Sequence, residues 1–257
     1  MDQPLISVVI PVRDGERFLA SAMESIVAQE YHNLEVLLVD DGSTDGLAGC
    51  AKEWAALVRY IRQPQQGQAA ARNRGVRESK GELIAFLDID DLWTPGHLTR
   101  LRHCLEQNPD AAIAQGFMRQ FWTAPDGSRQ STAPYRMPYL GSCLFRRRVF
   151  DQCGLFDERM PHGEDYDFLF RCWEHDVVKV VVPEVSLFYR RHPCNMTRGR
   201  NTAAHMVVLK RRIERIRAGV ADPAAPRRFV FQQYMGDQEQ LTDLSLGEVS
   251  ECDLRLA

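Results

Sequence analysis

Three carboxylates stand together at the end of an apolar segment. Residues 83–87 (LIAFL) are strand-forming, and Asp88, Asp90 and Asp91 follow them. This pattern predicts a buried strand whose end carries like charges, which repel one another unless a cation meets them. Carboxylate oxygens suit a hard divalent ion such as Mn²⁺ or Mg²⁺. The alternative interpretation is a polar turn that ends the strand and caps the next helix.

Two further polar clusters lie upstream. Asp40-Asp41-Gly42-Ser43 follows an apolar run, and its carboxylates could accept hydrogen bonds from a nucleotide base or from ribose hydroxyls. Gly67 precedes a small-residue helix start that carries Arg72 and Arg74, which suits a phosphate or a nucleotide. The glycine pattern matches neither a P-loop nor a dinucleotide fingerprint. The alternatives are a plain strand-to-helix turn and a solvated arginine face.

Candidate acid–base residues lie in the second half of the chain. Gly163-Glu164-Asp165 opens a segment with helical periodicity, which would hold a general base on a rigid element. The alternative is that Glu164 and Asp165 only stabilise the helix, because acidic residues at a helix N-terminus interact favourably with the helix dipole. His192 follows a strand-like segment as a candidate metal or phosphate ligand, although a single histidine is more often a surface or packing residue.

Strands and helices alternate over the first 115 residues. This order indicates an α/β, Rossmann-like fold with a mostly parallel sheet and helices on both faces. Ligands bind such sheets at the carboxyl ends of the strands, so the polar clusters should converge on one edge. The predicted strands are 6–10, 34–39, 58–61, 83–87 and 111–115, and the predicted helices are 16–29, 45–57, 68–79 and 94–107, the last with Thr94 as its N-cap.

The second half of the chain mixes strand-like and helical patterns. It would close over the edge of the sheet, and after Asn201 the chain becomes helical and arginine-rich. The predicted strands are 117–122, 139–145, 177–182 and 186–190, and a helix is predicted at 164–175.

Composition and charge exclude several classes of protein. The chain has 257 residues and a net charge of −3, so no global positive field marks nucleic acid as its partner. Its 7 cysteines form no CxxC pair and are odd in number, which favours reduced thiols in the cytoplasm over a disulfide framework. No window approaches the length of a membrane span, and the N-terminus lacks the basic flank of a secretion signal.

A basic amphipathic segment lies at residues 203–217. Met206, Leu209, Ile213 and Ile216 share one helix face, and arginines and a lysine crowd the rest. One interpretation is an interfacial helix that makes a peripheral contact with the inner face of a membrane. The other is a helix docked on the domain with a solvated basic face. The sequence leaves the oligomeric state open, a homo-oligomer included, and predicts nothing for the tail 219–257.

The polar clusters occur in a specific order along the chain. The order is Ile10-Pro11-Val12, Asp40-Asp41-Gly42-Ser43, Gly67-x4-Arg72-Asn73-x-Gly75, Asp88-x-Asp90-Asp91 (a DXD motif), Gly163-Glu164-Asp165 and Tyr189-Arg190-Arg191-His192. This set resembles the family-2 inverting glycosyltransferases, which have the GT-A fold of nucleotide-diphospho-sugar transferases. The resemblance covers residues 5–198. It implies a GT-A domain at 1–200, with a nucleotide-binding half at about 1–115 and an acceptor half at about 116–200, and a helical C-terminal extension at 201–257.

The resemblance also implies roles for residues of this chain. Asp165 would be the catalytic base, with Glu164 orienting the acceptor side, and Asp90 and His192 would hold Mn²⁺ or Mg²⁺ against the diphosphate. The acceptor site would contain Gly141, Ser142 and Asp91, the last also supporting its neighbouring aspartates. The nucleotide-binding residues would be Pro11, Val12, Arg13, Asp40, Asp41, Gly67, Arg72, Asp88, Ile89 and Asp90, of which Asp88 would contact the ribose.

The implied function is metal-dependent transfer of one sugar from a nucleotide-diphospho-sugar, with UDP as the expected nucleotide. The acceptor would be a hydroxyl of a glycan, a lipid-linked or a small-molecule acceptor, as in bacterial glycan biosynthesis. Relatives often carry Tyr-Asn after the Pro-Val pair; here the residues are Arg13-Asp14, and an arginine plane can also stack on a base. The chain lacks a Gln-x-x-Arg-Trp motif, which favours single-sugar transfer over processive synthesis.

Two alternative functions remain open. A sugar-nucleotidyltransferase also uses a nucleotide fold with paired aspartates, but its glycine-rich basic loop is absent after the first strand. A non-catalytic nucleotide-sugar-binding protein could keep the fold without the chemistry. The presence of Asp88, Asp90, Asp165 and His192 together weighs against the second alternative.

Overall fold

The first half of the chain forms a parallel sheet flanked by helices, as predicted. The computed structural model describes residues 3–195, 201–221, 228–236 and 246–247. Val12 pairs with Asp40 in register, so the loops after the first two strands begin side by side at one sheet edge. The parallel strands are ordered β4-β1-β2-β3. Their bounds are β1 Ile6–Val12, β2 Leu34–Asp41, β3 Val58–Gln63 and β4 Leu83–Phe86, with helices α1 Glu16–Val27, α2 Leu47–Cys50 and α3 Gln68–Glu78.

The second half extends the same sheet with mixed strand directions. Its elements are β5 Leu92–Trp93, α4 His97–Gln107, β6 Ile113–Thr123, β7 Arg129–Thr132, β8 Cys143–Arg146, α5 Arg148–Cys153, α6 Glu164–Glu174 and β9 Lys179–Arg190. β8 lies antiparallel between β4 and β6, whereas β9 is parallel to β6 and antiparallel to β5. The predicted fold class is confirmed, with the parallel strands in the first half and the mixed strands in the second.

Two pairs of predicted strands are single long strands. The predicted strands 111–115 and 117–122 both fall on β6, which begins two residues later than predicted, and 177–182 and 186–190 both fall on β9, which also begins two residues later. Gly116 lies where the two strands shift register, and a Cβ there would meet Ser186 Oγ at 2.0 Å. A glycine inside a strand often marks a bulge or a close approach of backbone. The predictions were wrong because the interruption of the pattern is a bulge and not a break.

Three predicted element boundaries were also wrong. The helix predicted at 45–57 is only α2 followed by a 3-10 turn at Ala51–Trp54, because its backbone closes with tighter i to i+3 bonds. Helix α4 begins after Gly96 because Thr94 extends the pairing of β5 with β9: its Oγ1 donates to the Val185 carbonyl at 2.8 Å. The strand predicted at 139–145 begins at Cys143, because Leu140–Ser142 forms a 3-10 turn.

Apolar side chains pack on both faces of the sheet. Leu19 of α1 and Leu101 of α4 belong to the core on one face, and α3, α5 and α6 cover the other face. Helix α3 lies so close to the sheet that a Cβ on Gly75 would stand 2.2 Å from Val9 Cγ1. This close packing requires glycine, and it places Arg72, one turn earlier, against the residues that follow β4.

Helix α7 (Asn201–Arg217) is attached to α6 by ion pairs. Arg215 lies 2.7 Å from Asp167 and 3.0 Å from Glu174, and Arg212 lies 3.1 Å from Glu174. The two carboxylates are almost fully buried, so the arginines neutralise charges that would otherwise be costly in the interior. These contacts favour the docked-helix interpretation of the basic segment over the interfacial one.

The predicted C-terminal extension is described only in part. The exposed face of α7 carries Leu209 and Ile213, while the side chain of Met206 lies outside the described residues. Two short elements follow, α8 (Phe231–Met235) and β10 (Leu246–Gly247), and β10 pairs with β7. Among the helices that are described, none has both the length and the apolar character to cross a membrane. The described cysteines are free thiols, and Cys252 is outside the described residues.

Candidate active site

Arg72 joins two carboxylates that are far apart in the sequence. Its Nη2 donates to both oxygens of Asp88, at 2.8 and 3.2 Å, and its Nη1 lies 2.5 Å from Glu164 Oε1. Arg72 is 2% exposed; burial lowers its pKa, but the two carboxylates outweigh this effect and hold the pKa above its usual value. The solvated-arginine alternative therefore does not apply to Arg72, whereas Arg74 pairs with Glu78 at the surface of α3.

Asp165 lies beside this ion pair, at the second residue of α6. Gly163, with φ at 78°, takes the left-handed conformation that turns the chain into the helix. The N–H of Tyr166 donates to Asp165 Oδ1 at 2.7 Å. Burial and then the charge of Glu164 raise the pKa of Asp165 to about 7, although Arg72 opposes them. A carboxyl with a pKa near neutrality is suited to proton transfer.

Asp90 and His192 come together although 102 residues separate them. Nε2 of His192 lies 2.9 Å from Asp90 Oδ2, and Asn195 Nδ2 donates to the same oxygen at 3.2 Å. The His192 ring is also held by the ring of Phe18, with 4.9 Å between the centroids. Burial and the charge of Asp88 raise the pKa of Asp90. One carboxylate and one imidazole therefore stand together next to the Arg72–Asp88 pair.

The Asp90–His192 pair would supply part of a cation's coordination shell. Within the described portion of the chain, no three or more histidine, cysteine, aspartate or glutamate side chains are grouped to hold a metal ion. The other ligands would have to be oxygens of a bound diphosphate and water, which is the usual arrangement for Mg²⁺ in nucleotide sites. The donor set fits an ion that binds together with a nucleotide.

Tyr139 bridges two of the three clustered aspartates. Its hydroxyl lies 2.6 Å from Asp91 Oδ2 and 2.9 Å from Asp88 Oδ2. Asp91 is fully buried and accepts the N–H of Arg190 at 2.9 Å. Burial, followed by the charges of Asp90 and Asp88, raises the pKa of Asp91 well above its usual value. Sequence reasoning missed Tyr139, because no local pattern marks a residue whose partners are 48 and 51 positions away.

Asp40 is buried at the end of β2 and is fully hydrogen-bonded. Its Oδ1 accepts the N–H of Ser43 at 2.7 Å, and its Oδ2 is contacted by the Tyr60 hydroxyl and by Arg62. Burial raises the pKa of Asp40, but the hydrogen bonds from Ser43 and Tyr60 outweigh it and the pKa is lowered. Asp40 is thus a fixed carboxylate at the strand edge, and its role in a base and ribose pocket stays a prediction.

Asp41 organises the loop that leads into α3. Its Oδ1 accepts from Gln63 Nε2 and from the N–H of Gln66, and its Oδ2 accepts the N–H of Gly67, each at 2.8 Å. Both carboxylate oxygens are therefore used within the protein. The structure places Asp41 and Gly67 together, where they shape the approach to Arg72.

The loops after β1 and β2 are tied to each other. The N–H of Asp14 donates to Ser43 Oγ at 2.9 Å, and Asp14 Oδ1 accepts the N–H of Thr44 at 2.7 Å. Asp14 adopts a left-handed conformation, with φ at 53°, which aspartate tolerates better than most residues. Arg13 lies 3.6 Å from Asp14 and remains half-exposed at the mouth of the site.

The remaining predicted site residues surround these groups. Pro11, Val12 and Ile89 are buried where β1 and β4 end. Gly141 and Ser142 are buried in the 3-10 turn before β8, and the Gly141 carbonyl accepts from Trp93 Nε1 at 2.8 Å. The two residues lie next in the chain to Tyr139, so the predicted acceptor floor adjoins the aspartate cluster.

A cleft of about 570 Å³ opens beside Glu164. One wall is formed by residues 65–69 and the other by residues 158–161. Gln68 lines the cleft and also donates from Nε2 to Asp88 Oδ1 at 3.1 Å. The cleft is therefore continuous with the Asp88–Arg72–Glu164 network, and its amide and carboxylate groups could hydrogen-bond a polar ligand.

The fold is that of the GT-A class, and comparison with known sequences gives the family. The profile of "Glycosyl transferase family 2" matches residues 7–160. The chain belongs to this family. It is 27% identical over 217 residues to the uncharacterized glycosyltransferase EpsJ of Bacillus subtilis, covering 76% of this chain and 63% of the relative. An uncharacterized glycosyltransferase of Rickettsia typhi is 29% identical over 185 residues, covering 65% of this chain and 58% of the relative. The chain thus spans less than two thirds of the length of these relatives.

Solved structures share the fold at low sequence identity. TarS of S. aureus superposes with a TM-score of 0.65 at 18% identity, over 85% of this chain and 40% of TarS. The mannosyltransferase PcManGT of Pyrobaculum calidifontis, solved with GDP-Man and Mn²⁺, superposes with a TM-score of 0.62 at 19% identity, over 88% of this chain and 66% of its own. These similarities confirm the GT-A architecture.

Proposed function

We propose that the protein is a metal-dependent, inverting hexosyltransferase that moves one sugar from a nucleotide-diphospho-sugar to an acceptor hydroxyl. The observation that carries this proposal is the place of Asp165. Its carboxyl has a pKa of about 7, stands at the rigid start of α6, and lies beside the Arg72–Asp88 pair. A single displacement with inversion needs one base and no covalent intermediate, so one such carboxyl suffices.

The nucleotide-sugar donor would bind along the ends of β1, β2 and β4. Asp88 would contact the ribose, and Arg72 would direct its guanidinium toward the phosphates. Structures of TarS include complexes with UDP and with UDP-GlcNAc, and PcManGT holds GDP-Man. These complexes support a nucleotide-diphospho-sugar as the donor, with UDP as the first nucleotide to test and GDP as the second.

Asp90 and His192 would hold Mn²⁺ or Mg²⁺ together with the donor. When bound, a divalent ion neutralises the charge that develops on the leaving diphosphate. Asn195 keeps the Asp90 carboxylate oriented through its hydrogen bond to Oδ2. The presence of Mn²⁺ in the PcManGT structure supports this assignment.

Asp165 would take the acceptor proton on Oδ2, because Oδ1 already accepts the N–H of Tyr166. The acceptor oxygen then forms a bond to the anomeric carbon on the face opposite the diphosphate. The bond from that carbon to the diphosphate oxygen breaks, and its electron pair leaves with the nucleoside diphosphate. Glu164, held by Arg72, would orient the acceptor side of this arrangement.

The acceptor is proposed only as a class. A glycan, a lipid-linked saccharide or a small molecule would place one hydroxyl next to Asp165, over the floor made by Gly141 and Ser142. The cytoplasmic location, the peripheral membrane contact of 203–217, the homo-oligomer and the division of the chain at residue 200 stay predictions.

Binding and transfer measurements test the proposed function. UDP, GDP and dTDP are titrated into the protein with Mn²⁺, and each is repeated with EDTA. We expect one nucleotide to bind with Mn²⁺ and to raise the thermal midpoint, since a ligand present at 100 times its Kd stabilises by about 2.7 kcal/mol. The matching nucleotide-sugar is then incubated with saccharide and lipid-linked acceptors, and the anomeric configuration of the product is read by NMR.

The variant Asp165→Asn tests the base directly. We expect it to bind the donor normally and to lose transfer by about a hundredfold or more, because general-base catalysis is worth that much. Asp151→Asn, at an exposed position of α5, is the matched control and should keep full activity. Full activity of Asp165→Asn or a product of retained configuration would each contradict the proposal, as would formation of nucleotide-sugar and pyrophosphate by wild type when it is given a nucleoside triphosphate and a sugar 1-phosphate.

A further inference from the structure

We propose that Tyr139 is a positioning residue that fixes the orientation of Asp88 and Asp91 and thereby sets the affinity for the nucleotide part of the donor. The inference rests on the proposed function of the site, and it assigns to Tyr139 no contact with the reacting atoms. The residue belongs to the segment between β7 and β8, opposite the elements that carry the other donor-side residues.

The ring of Tyr139 has little freedom to move. Tyr189 of β9 packs edge-on against it, with 5.5 Å between the centroids and 84° between the planes. On another side, a Cβ on Gly141 would stand 3.0 Å from Tyr139 Cε1, so the ring fills the space that this glycine leaves. The backbone is also held, because the Ser142 hydroxyl donates to the Tyr139 carbonyl at 3.0 Å. The hydroxyl is thus presented at a fixed point.

That hydroxyl holds Asp88 from the side away from α3. Oδ1 of Asp88 accepts from Arg72 and Gln68, both on α3, at 2.8 and 3.1 Å. Oδ2 lies 2.9 Å from the Tyr139 hydroxyl, which also lies 2.6 Å from Asp91. Without the hydroxyl, the remaining side-chain bonds to Asp88, from Gln68 to Oδ1 and from Arg72 to both oxygens, would all come from α3. The carboxylate would then rotate toward that helix, away from the orientation needed for a ribose.

Tyr135 offers a matched control in the same segment of the fold. It is buried, and its hydroxyl also meets one polar side chain, Gln120 Nε2, at 2.5 Å. Neither Tyr135 nor Gln120 is bonded to the aspartate cluster. Removing either tyrosine hydroxyl therefore deletes one buried hydrogen-bonding group, but only the loss at Tyr139 acts on Asp88.

The test compares wild type, Tyr139→Phe and Tyr135→Phe by calorimetric titration with UDP and with GDP, each in the presence of Mn²⁺. We expect Tyr139→Phe to raise the Kd of the nucleotide that wild type binds by about tenfold, the effect of losing a hydrogen bond to a charged group. Tyr135→Phe should bind within about twofold of wild type, since the hydroxyl that it removes is hydrogen-bonded to Gln120 and does not hold Asp88. In transfer assays the donor KM should rise with the same factor, and kcat at saturating donor should change little.

A double-mutant cycle distinguishes a specific effect of Tyr139 on Asp88 from a general loss of stability. In an Asp88→Ala background, the further change Tyr139→Phe should alter Kd by less than about twofold, because the carboxylate that the hydroxyl holds is already gone. Thermal midpoints should fall by similar amounts in Tyr139→Phe and Tyr135→Phe. Equal nucleotide affinity in wild type and Tyr139→Phe, or equal weakening in both tyrosine variants, would overturn this inference alone. Failure of wild type to bind either nucleotide would overturn the proposed function as well.

Discussion

Arg72 Nη1 and Glu164 Oε1 lie 2.5 Å apart and join α3 to the first residue of α6. The same guanidinium reaches Asp88 through Nη2, so one side chain connects the end of β4 with the helix that begins Glu164-Asp165. Because all of these groups are buried or nearly so, their charges are balanced only as a set. The residue assigned to the donor phosphates therefore also holds Glu164, the neighbour of the candidate base.

This ion pair predicts a specific pattern of stability and activity. Arg72→Met leaves Glu164 as an uncompensated buried charge, and we expect the free energy of unfolding to fall by about 3–5 kcal/mol. The double variant Arg72→Met/Glu164→Gln also removes the buried charge of Glu164, the more buried of the two carboxylates, and should recover part of that loss. Neither variant should transfer sugar, since both lack the guanidinium. Urea unfolding and the transfer assay measure the two effects separately.

Glu164→Gln alone is the control for the cycle. If the double variant were no more stable than Arg72→Met, the instability of Arg72→Met would come from lost packing and not from the buried charge of Glu164. Recovery of transfer in the double variant would show that Arg72 is dispensable for the donor.

The pH dependence of the reaction should report Asp165. A base must be deprotonated to act, and the pKa of Asp165 is about 7. We expect log kcat/KM to rise with a slope of one up to about pH 7 and to level off above it. Glu164→Gln removes the charge that helps to raise this pKa, so the rising limb should move to lower pH. A profile that is flat from pH 5 to 8, or a limb that Glu164→Gln leaves unmoved, would exclude Asp165 as the titrating base.

The acid stability of the fold should depend on His97. Its ring is fully buried against Trp93, and burial, followed by the charge of Arg100, lowers its pKa to about 3. The unfolded chain takes up the proton near pH 6.5, whereas the folded protein does not. Protonation of His97 therefore leaves the free energy of unfolding unchanged above pH 6.5 and lowers it progressively as the pH drops from 6.5 toward 3. The expected loss at pH 5 is about 2 kcal/mol, from the linkage relation.

The measurement compares urea unfolding of wild type and His97→Phe at pH 8 and pH 5. Wild type should lose more stability between the two values than His97→Phe, which keeps a ring and has no proton to bind. His32→Gln, at an exposed position, should behave as wild type does. An equal acid loss in wild type and His97→Phe would mean that other groups account for the acid sensitivity.

The attachment of α7 makes a fourth prediction. Arg215→Met removes a cation from two buried carboxylates, Asp167 and Glu174, although Arg171 still pairs with Asp167. We expect the free energy of unfolding to fall by about 1–3 kcal/mol, with nucleotide binding unchanged. Lys210→Met, on the exposed side of the same helix, is the control and should change stability by less than about 0.5 kcal/mol. Equal stability of the two variants would show that these ion pairs do not hold the helix.

Local periodicity was sufficient to predict the order of the parallel strands and their helices in the first half, but not every element boundary or where strands continue through a bulge. The pattern at Gly116 is the same whether a strand ends or bends, and only the approach of Ser186, 70 positions later, distinguishes the two. Thr94 carried all the local signals of an N-cap, yet its hydroxyl is bonded to the Val185 carbonyl. Tertiary partners decided both cases, and they are not visible in a single sequence.

In the candidate site, too, single residues could be predicted from the sequence but their contacts could not. Arg72, Asp88 and Glu164 could be proposed because charged residues at strand ends and helix starts stand out in the sequence. Their mutual bonds could not be predicted, since Arg72 and Glu164 are 92 positions apart in the sequence. Tyr139 was missed altogether, because a tyrosine in an irregular segment carries no signal of its own. Charged residues at the ends of strands and helices can be recognised in a single sequence, but the residues that orient their side chains cannot.

Residues after position 200 contact helix α6, and these contacts determine whether the chain can be shortened without loss of activity. A fragment that stops there would strip Asp167 and Glu174 of Arg215, and would remove the Phe229 carbonyl that accepts from Trp173 Nε1 at 2.8 Å. The helix that would lose these contacts is α6, which carries the candidate base Asp165 at its second position. We therefore expect a shortened enzyme to fail first at α6, with activity lost before the parallel half unfolds, so truncation would damage catalysis from a distance.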